Sequence, residues 1–256
     1  MPKFAANLNW LFTDLPMLER FDAASSAGFK AVEYMFPYDY DINHLAKKLE
    51  DLNLSQVLHN MPPGDWAAGD RGLGCLPDRV DEFRKSVGIA INAAKALNCP
   101  TVNCLSGIAP AGIDLALLEQ TFVENLRYAA SEFAKNDIHL VIEAINTRDM
   151  PGFYLTTSAQ AFDIIEKVGS DNLTLQYDIY HMQVMEGDLA NTLSENLHRI
   201  GHLQLADNPG RHEPGSGEIN YPFLFRHIDK IGYKGWIGCE YKPAGDTLAG
   251  LGWMKI

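Results

Sequence analysis

No apolar run in this chain approaches the roughly 20 residues that a membrane-crossing helix needs, so a membrane is not an expected partner. The first ten residues, MPKFAANLNW, lack the charged segment followed by an apolar one that marks a secretory signal, and the protein is expected to stay in the cytoplasm. Cysteine is scarce. The four present, Cys75, Cys99, Cys104 and Cys239, form no C-x-x-C pair, which argues against a secreted disulfide framework and predicts reduced, mostly buried thiols. Cationic residues are in the minority: 21 Lys and Arg against 33 Asp and Glu leave a formal net charge of -12. A general phosphate-backbone binder normally displays a basic patch or stripe, so nucleic acid is not an expected partner either. Pro-rich and Ser-rich linkers, low-complexity tracts and charge blocks are also absent, and residues 1–256 read as a single domain.

What the chain does contain is a regular alternation. Strand-like segments recur at 4–8, 31–36, 56–60, 101–105, 140–145, 173–178, 201–206 and 236–241. Segments of helical periodicity lie between them, clearest at 17–28, 42–53, 79–98 and 117–136. Eight strands alternating with helices are the sequence form of a (β/α)8 TIM barrel, and 256 residues suffice to bury its core. Only the eighth helix, after residue 241, looks short. Gly28 fits the residue just past a helix end, and Gly232 and Gly235 mark the turn into the last strand. The longest irregular stretch, 60–78, follows the third strand and is long enough to be a lid or binding loop.

Alternate residues of a strand face opposite sides, which in a barrel are the interior and the helix layer. In LVIEAI, Leu140, Ile142 and Ala144 share the side suited to helices, while Val141 and Glu143 share the other. Counting all eight strands this way predicts one polar residue near each C-terminal end on the interior side: Asn7, Glu33, His59, Asn103, Glu143, Asp178, Gln204 and Glu240. Active sites of such barrels sit at that end. Any one of these residues alone would more simply be a buried group paired with an Arg or Lys. Three carboxylates and an amide converging on one mouth repel one another unless a cation sits among them. Oxygen ligation by Glu143, Asp178, Gln204 and Glu240 suits a hard divalent ion, Mg²⁺ or Mn²⁺.

The blocks FAANL, EYMFPYDYDI, HNMPPGDWAAGDRG, VENLRYAA, IEAIN, QYDIYHMQ, HLQLADNPGRHEPGSGEINY and GWIGCEYKP resemble, essentially end to end, the hydroxypyruvate isomerase family within the xylose-isomerase-like barrels. The resemblance implies a (β/α)8 barrel whose metal ligands match Glu143, Asp178, Gln204 and Glu240, with Glu143 and Glu240 also matching the family's proton-transfer pair. It implies interconversion of hydroxypyruvate and 2-hydroxy-3-oxopropanoate, a small hydroxy-oxo acid, through an enediolate. His181, three residues beyond Asp178, matches a histidine that contacts substrate in related sugar isomerases and epimerases; it could equally cap the strand end.

Further candidates come from the residues themselves. His59 is a second possible substrate contact. Arg211, Lys242 and Arg71 are the possible anchors for a substrate carboxylate, each equally readable as a surface ion pair. Asp207 and Glu213 are expected to orient neighbours. Trp66 could close over the site or simply pack its own loop, and GSGE at 215–218 reads as a turn rather than a phosphate cradle. Competing readings are a 2-oxo-tetronate isomerase or ketose 3-epimerase on the same mouth, a barrel nuclease, and a non-catalytic sugar-acid or metal-binding barrel. A homo-oligomer is compatible with all of them.

Overall fold

The structure, a computed structural model, describes residues 2–255. Eight parallel strands, β1 (Lys3–Asn7), β2 (Ala31–Glu33), β3 (Ser55–Asn60), β4 (Thr101–Cys104), β5 (His139–Glu143), β6 (Leu173–Asp178), β7 (Ile200–Leu205) and β8 (Trp236–Cys239), close into a barrel in chain order. The connecting helices are α1 (Met17–Ser26), α2 (Ile42–Asp51), α3 (Val80–Ala96), α4 (Leu115–Ala134), α5 (Ser158–Val168), α6 (Ile179–Met185), α7 (Leu189–Asn196) and α8 (Tyr221–Ile231). After β8 the described residues form only α9 (Thr247–Gly250) and a 3₁₀ turn, the short eighth helix expected. The alternation in the sequence therefore specifies the fold correctly, a (β/α)8 barrel. The connection between β6 and β7 is divided into α6 and α7, which the sequence pattern did not reveal.

Local chemistry sets the helix ends. Asp41, Asp114 and Thr157 each accept a hydrogen bond from a backbone N–H in the first turn of α2, α4 and α5. Gly28 follows α1 with φ +98°, as its position just past the helix end requires, and its N–H donates to the Ser25 carbonyl at 3.0 Å. The outer faces of the strands, such as Leu140 and Ile142, are fully buried against the helices. Each such side chain contributes about 1.5–3 kcal/mol. Inside the barrel, Ala5, Ala31 and Val57 pack with Trp236 near the N-terminal end, and polar side chains occupy the interior above them. The long loop at 60–78 is folded tightly against the end of β4. A Cβ on Gly72, where φ is +114°, would overlap the Leu105 carbonyl.

One strand departs from the expected parity. Val32 lies opposite Gln56, but Glu33 lies opposite Leu58, so β3 carries one extra residue and the positions beyond it change face. Asn60, opposite Asn103, takes the interior place assigned from the sequence to His59. His59 is fully buried on the other face, beside the Ala90 backbone of α3.

Burial pushes the His59 imidazole down to about 4. Between pH 6.5 and 4 the unfolded chain binds a proton here that the folded chain does not, so this contribution to stability is present above pH 6.5 and is lost as pH falls. A His59→Phe variant should therefore lose about 2 kcal/mol less stability than the parent between pH 7 and pH 5. Urea unfolding at the two pH values measures the difference, and equal losses would contradict the buried neutral imidazole.

Candidate active site

Four side chains meet at the C-terminal mouth. Glu143 ends β5, Asp178 ends β6, His181 lies one turn into α6, and Glu240 follows β8 directly. One ligand atom from each lies within 4.8 Å of the others, and all four residues are buried. Asp178 reaches this position because it also caps α6: Oδ1 accepts from the backbone N–H of Tyr180 (2.8 Å) and of His181 (3.4 Å). That fixes the carboxylate and leaves Oδ2 buried without a hydrogen-bond partner. His181 Nε2 is 3.6 Å from Asp178 Oδ2, and its Nδ1 is 2.6 Å from the Asn146 side-chain nitrogen.

Burial dominates the electrostatics. It raises the Glu143 carboxyl well above the usual carboxylate range, and the Glu240 and Asp178 charges raise it further. Glu240 is pushed to about 8, first by burial and then by Asp178 and Glu33, against the opposing pull of Arg211. Asp178 is raised by burial, which outweighs Arg211 and the two N–H groups that cap it. His181 is held well below its usual value by burial and by the nearby Arg211 and Arg148, so its ring is neutral. Three buried carboxylates and a neutral imidazole, with one carboxylate oxygen unpartnered, are a donor set that can hold a divalent metal ion.

Gln204, the amide expected at this site, lies directly opposite Asp178 in the β6–β7 ladder. Its oxygen accepts from Gln176 Nε2 and its nitrogen donates to Glu33 Oε1, each at 2.7 Å. A carbonyl oxygen has two lone pairs, so the bond from Gln176 leaves one for a further partner.

The three cations proposed as anchors lie in different surroundings. Arg211, in the left-handed conformation at φ +55°, donates to Glu240 Oε2 at 2.7 Å and lies 3.7 Å from Asp149 and 4.0 Å from Asp178. Its guanidinium lies 4.5 Å from the Trp10 ring centroid and 5.0 Å from that of Tyr180. Arg71 lies 4.0 Å from the Trp66 ring centroid and donates to the carbonyls of Trp66 and Asp70. Lys242 has an exposed side chain; only its backbone participates, donating to the Arg211 carbonyl and accepting from His212 Nδ1.

A cavity of about 330 Å³ opens above the carboxylates. Glu143, Glu240, His181, Arg211, Arg71 and Trp66 line it, whereas His59 and Lys242 do not. Its wall also includes Trp10, Asn60, Asp149 and Phe153, which the sequence reading did not single out. Asn60 was hidden by the strand slip. Trp10 lies just beyond β1, where an aromatic residue at a strand's C-terminal end could have been noticed. Asp207 accepts four backbone N–H bonds, from Asn208, Gly215, Gly217 and Ile219, and so shapes the loop that carries Arg211. The GSGE segment is thus a turn wrapped around a carboxylate. Glu213 accepts from the Ala244 N–H at 2.9 Å.

The xylose isomerase-like TIM barrel family matches residues 21–256. The hydroxypyruvate isomerase of Escherichia coli (strain K12) is 54% identical over 254 residues, covering 99% of this chain and 98% of that protein. The 2-oxo-tetronate isomerase of Pectobacterium atrosepticum is 47% identical, covering 100% of this chain and 97% of its own length. A crystal structure from Brucella melitensis described as AP endonuclease, family 2, has a TM-score of 0.98 at 47% identity, over 100% of this chain and 98% of that one. The chain therefore belongs to the xylose isomerase-like TIM barrel family, and within it to the isomerases that include hydroxypyruvate isomerase.

Asp178→Asn keeps an oxygen for the α6 cap but removes one charge from the cluster. The metal-stripped variant should unfold at the same temperature as the parent or higher, since repulsion is relieved, while its affinity for Mn²⁺ falls at least about tenfold. Calorimetric unfolding in chelator and titration with Mn²⁺ read the two effects separately. Unchanged Mn²⁺ affinity would remove Asp178 from the ligand set.

Proposed function

We propose that the protein interconverts hydroxypyruvate and 2-hydroxy-3-oxopropanoate, with a divalent cation, Mg²⁺ or Mn²⁺, held by Glu143, Asp178, Gln204 and Glu240. The observation that carries this reading is the pairing of two buried glutamates at one end of a cavity in a chain of this family. When bound, the cation supplies Lewis-acid stabilisation of the charge that develops on the substrate oxygens. Glu143 and Glu240 do the proton work. One takes the proton from the hydroxyl-bearing C3, leaving an enediolate; the C3 hydroxyl proton passes to the C2 oxygen and the other glutamate returns a proton to C2, so that the carbonyl moves from C2 to C3. Their ligand atoms lie within 4.8 Å of each other, which suits groups serving adjacent carbons of one small molecule. His181, neutral and at the cavity wall, is placed to hydrogen-bond a substrate oxygen.

The substrate carboxylate falls to Arg71. Arg211 is already engaged by Glu240, Asp178 and Asp149, and Lys242 points away. Arg71 lines the cavity with no carboxylate among its hydrogen-bond or ion-pair partners in the described residues. The substrate is thus a small anionic hydroxy-oxo acid bound between Arg71 and the glutamates.

The same geometry would serve a 2-oxo-tetronate, as in the relative that is 47% identical, or a ketose 3-epimerisation. The preferred substrate is read by stripping the protein of metal, reloading it with Mg²⁺ or Mn²⁺, and assaying hydroxypyruvate beside four-carbon oxo-acids and six-carbon ketoses. Greater kcat/KM on hydroxypyruvate is expected; greater kcat/KM on the four-carbon acid would transfer the assignment to that substrate. A nuclease reading is disfavoured by the net charge of -12, which opposes a polyphosphate backbone.

Two outcomes test the chemistry. Glu143→Gln and Glu240→Gln should each lose at least about 100-fold in kcat, because glutamine still offers an oxygen but accepts no proton, and product formed in D₂O should carry solvent deuterium. Near-normal turnover by both variants with metal bound would defeat the proton-transfer mechanism. Arg71→Met should raise KM for hydroxypyruvate about tenfold or more with a smaller change in kcat. An unchanged KM would move the anchor elsewhere.

A further inference from the structure

At the C-terminal end of β2 lies a carboxylate that the proposed reaction does not use. Glu33 is fully buried, and three donors converge on it: Gln204 Nε2 at 2.7 Å, Asn7 Nδ2 at 2.9 Å and His202 Nε2 at 2.7 Å. The barrel wall two strands away, at β8, is shaped to receive it. A Cβ on Gly238 of β8 would overlap the Glu33 carboxylate, so only glycine there lets the side chain extend across the interior.

A glutamine offers a cation either an oxygen or an NH₂ group, and only the oxygen is a ligand. Which end faces the mouth depends on what stands at the other end. Glu33 is acceptor only, so it holds the Gln204 nitrogen toward itself. Gln176 Nε2 donates to the Gln204 oxygen and favours the same orientation. Reversing the amide would set the Gln204 oxygen against a carboxylate and its NH₂ against the NH₂ of Gln176, losing two buried hydrogen bonds.

We infer that Glu33 is a positioning residue for the cation site: it fixes the Gln204 amide so that its oxygen, and not its nitrogen, is presented beside Asp178, with Gly238 providing the space. This rests on Gln204 being a ligand, as proposed above. Glu33 itself touches neither cation nor substrate. A neutral, weak ligand such as an amide needs this support more than a carboxylate does, because either orientation of a carboxylate presents an oxygen.

The test is a double-mutant cycle on Mn²⁺ affinity, read by electron paramagnetic resonance of free Mn²⁺ over metal-stripped protein, with thermal unfolding in chelator as the check on folding. Gln204→Ala should weaken Mn²⁺ binding about tenfold or more. Glu33→Gln should weaken it comparably in the parent, since a glutamine at 33 can donate to the Gln204 oxygen and so permits the reversed amide. In the Gln204→Ala background the same Glu33→Gln change should have little further effect. Gly238→Ala leaves Glu33 in the chain but displaces its carboxylate, and should reproduce the loss. If Gln204→Ala weakens binding while neither Glu33→Gln nor Gly238→Ala does, the positioning role is overturned. Full additivity of Glu33→Gln with Gln204→Ala overturns it too, by placing the effect elsewhere. An unchanged affinity in Gln204→Ala overturns the ligand assignment beneath the inference, and the inference with it.

Discussion

Burying three carboxylates within a few ångströms of one another is the constraint on which the upper half of this barrel depends. Water would screen such charges on a surface; in the interior, burial and mutual repulsion drive Glu143 and Glu240 toward their protonated forms. The neighbouring structure offsets that cost in specific ways. Asp178 is held by a helix N-terminus, Glu240 by Arg211, and Glu143 by the side-chain amide of Asn103 at 3.1 Å. Arg211 in turn is held between two aromatic rings on a loop whose shape is set by the buried Asp207. The cavity above is the space these supports leave open.

Much of this was legible in the sequence. A glutamate inside an otherwise apolar strand, as in HLVIEAIN, signals a charge with a purpose, and the alternation along β5, β6, β7 and β8 places Glu143, Asp178, Gln204 and Glu240 on one side. Parity works there because those strands end in phase, even where the β6–β7 pairing slips near Leu175, since the slip falls before the residues that matter. In β3 the slip falls just ahead of the C-terminal end, and the same counting selected His59 when the interior residue is Asn60. Nothing in the residues SQVLHN marks the extra position. It arises from how two strands fit side by side, which a single strand's pattern does not record.

Long side chains on loops were the other weak point. Arg71, Lys242 and Arg211 looked equivalent in the sequence because each is a cation in a segment that follows a strand. The fold separates them by direction: one is engaged by acids, one is turned to solvent, and one faces the cavity from the Trp66 loop. His181 was legible only through the family resemblance; the helix α6 that ties it to Asp178 by one turn was not read from the sequence.

The interior network also divides the barrel into unequal contributions. The carboxylates of the mouth come from the second half of the chain, at the ends of β5, β6 and β8, whereas Asn7, Glu33, Asn60 and Asn103, which brace that region, come from β1 to β4. The two halves join at two seams: across β4–β5 the Asn103 amide donates to Glu143, and across β1–β8 the Asn7 amide nitrogen lies 3.4 Å from Glu240. A chain folded only as far as either half would hold the charged groups without their braces, or the braces without the charges. The complete set of charges and braces at this mouth is therefore a property of the closed ring and belongs to neither half alone.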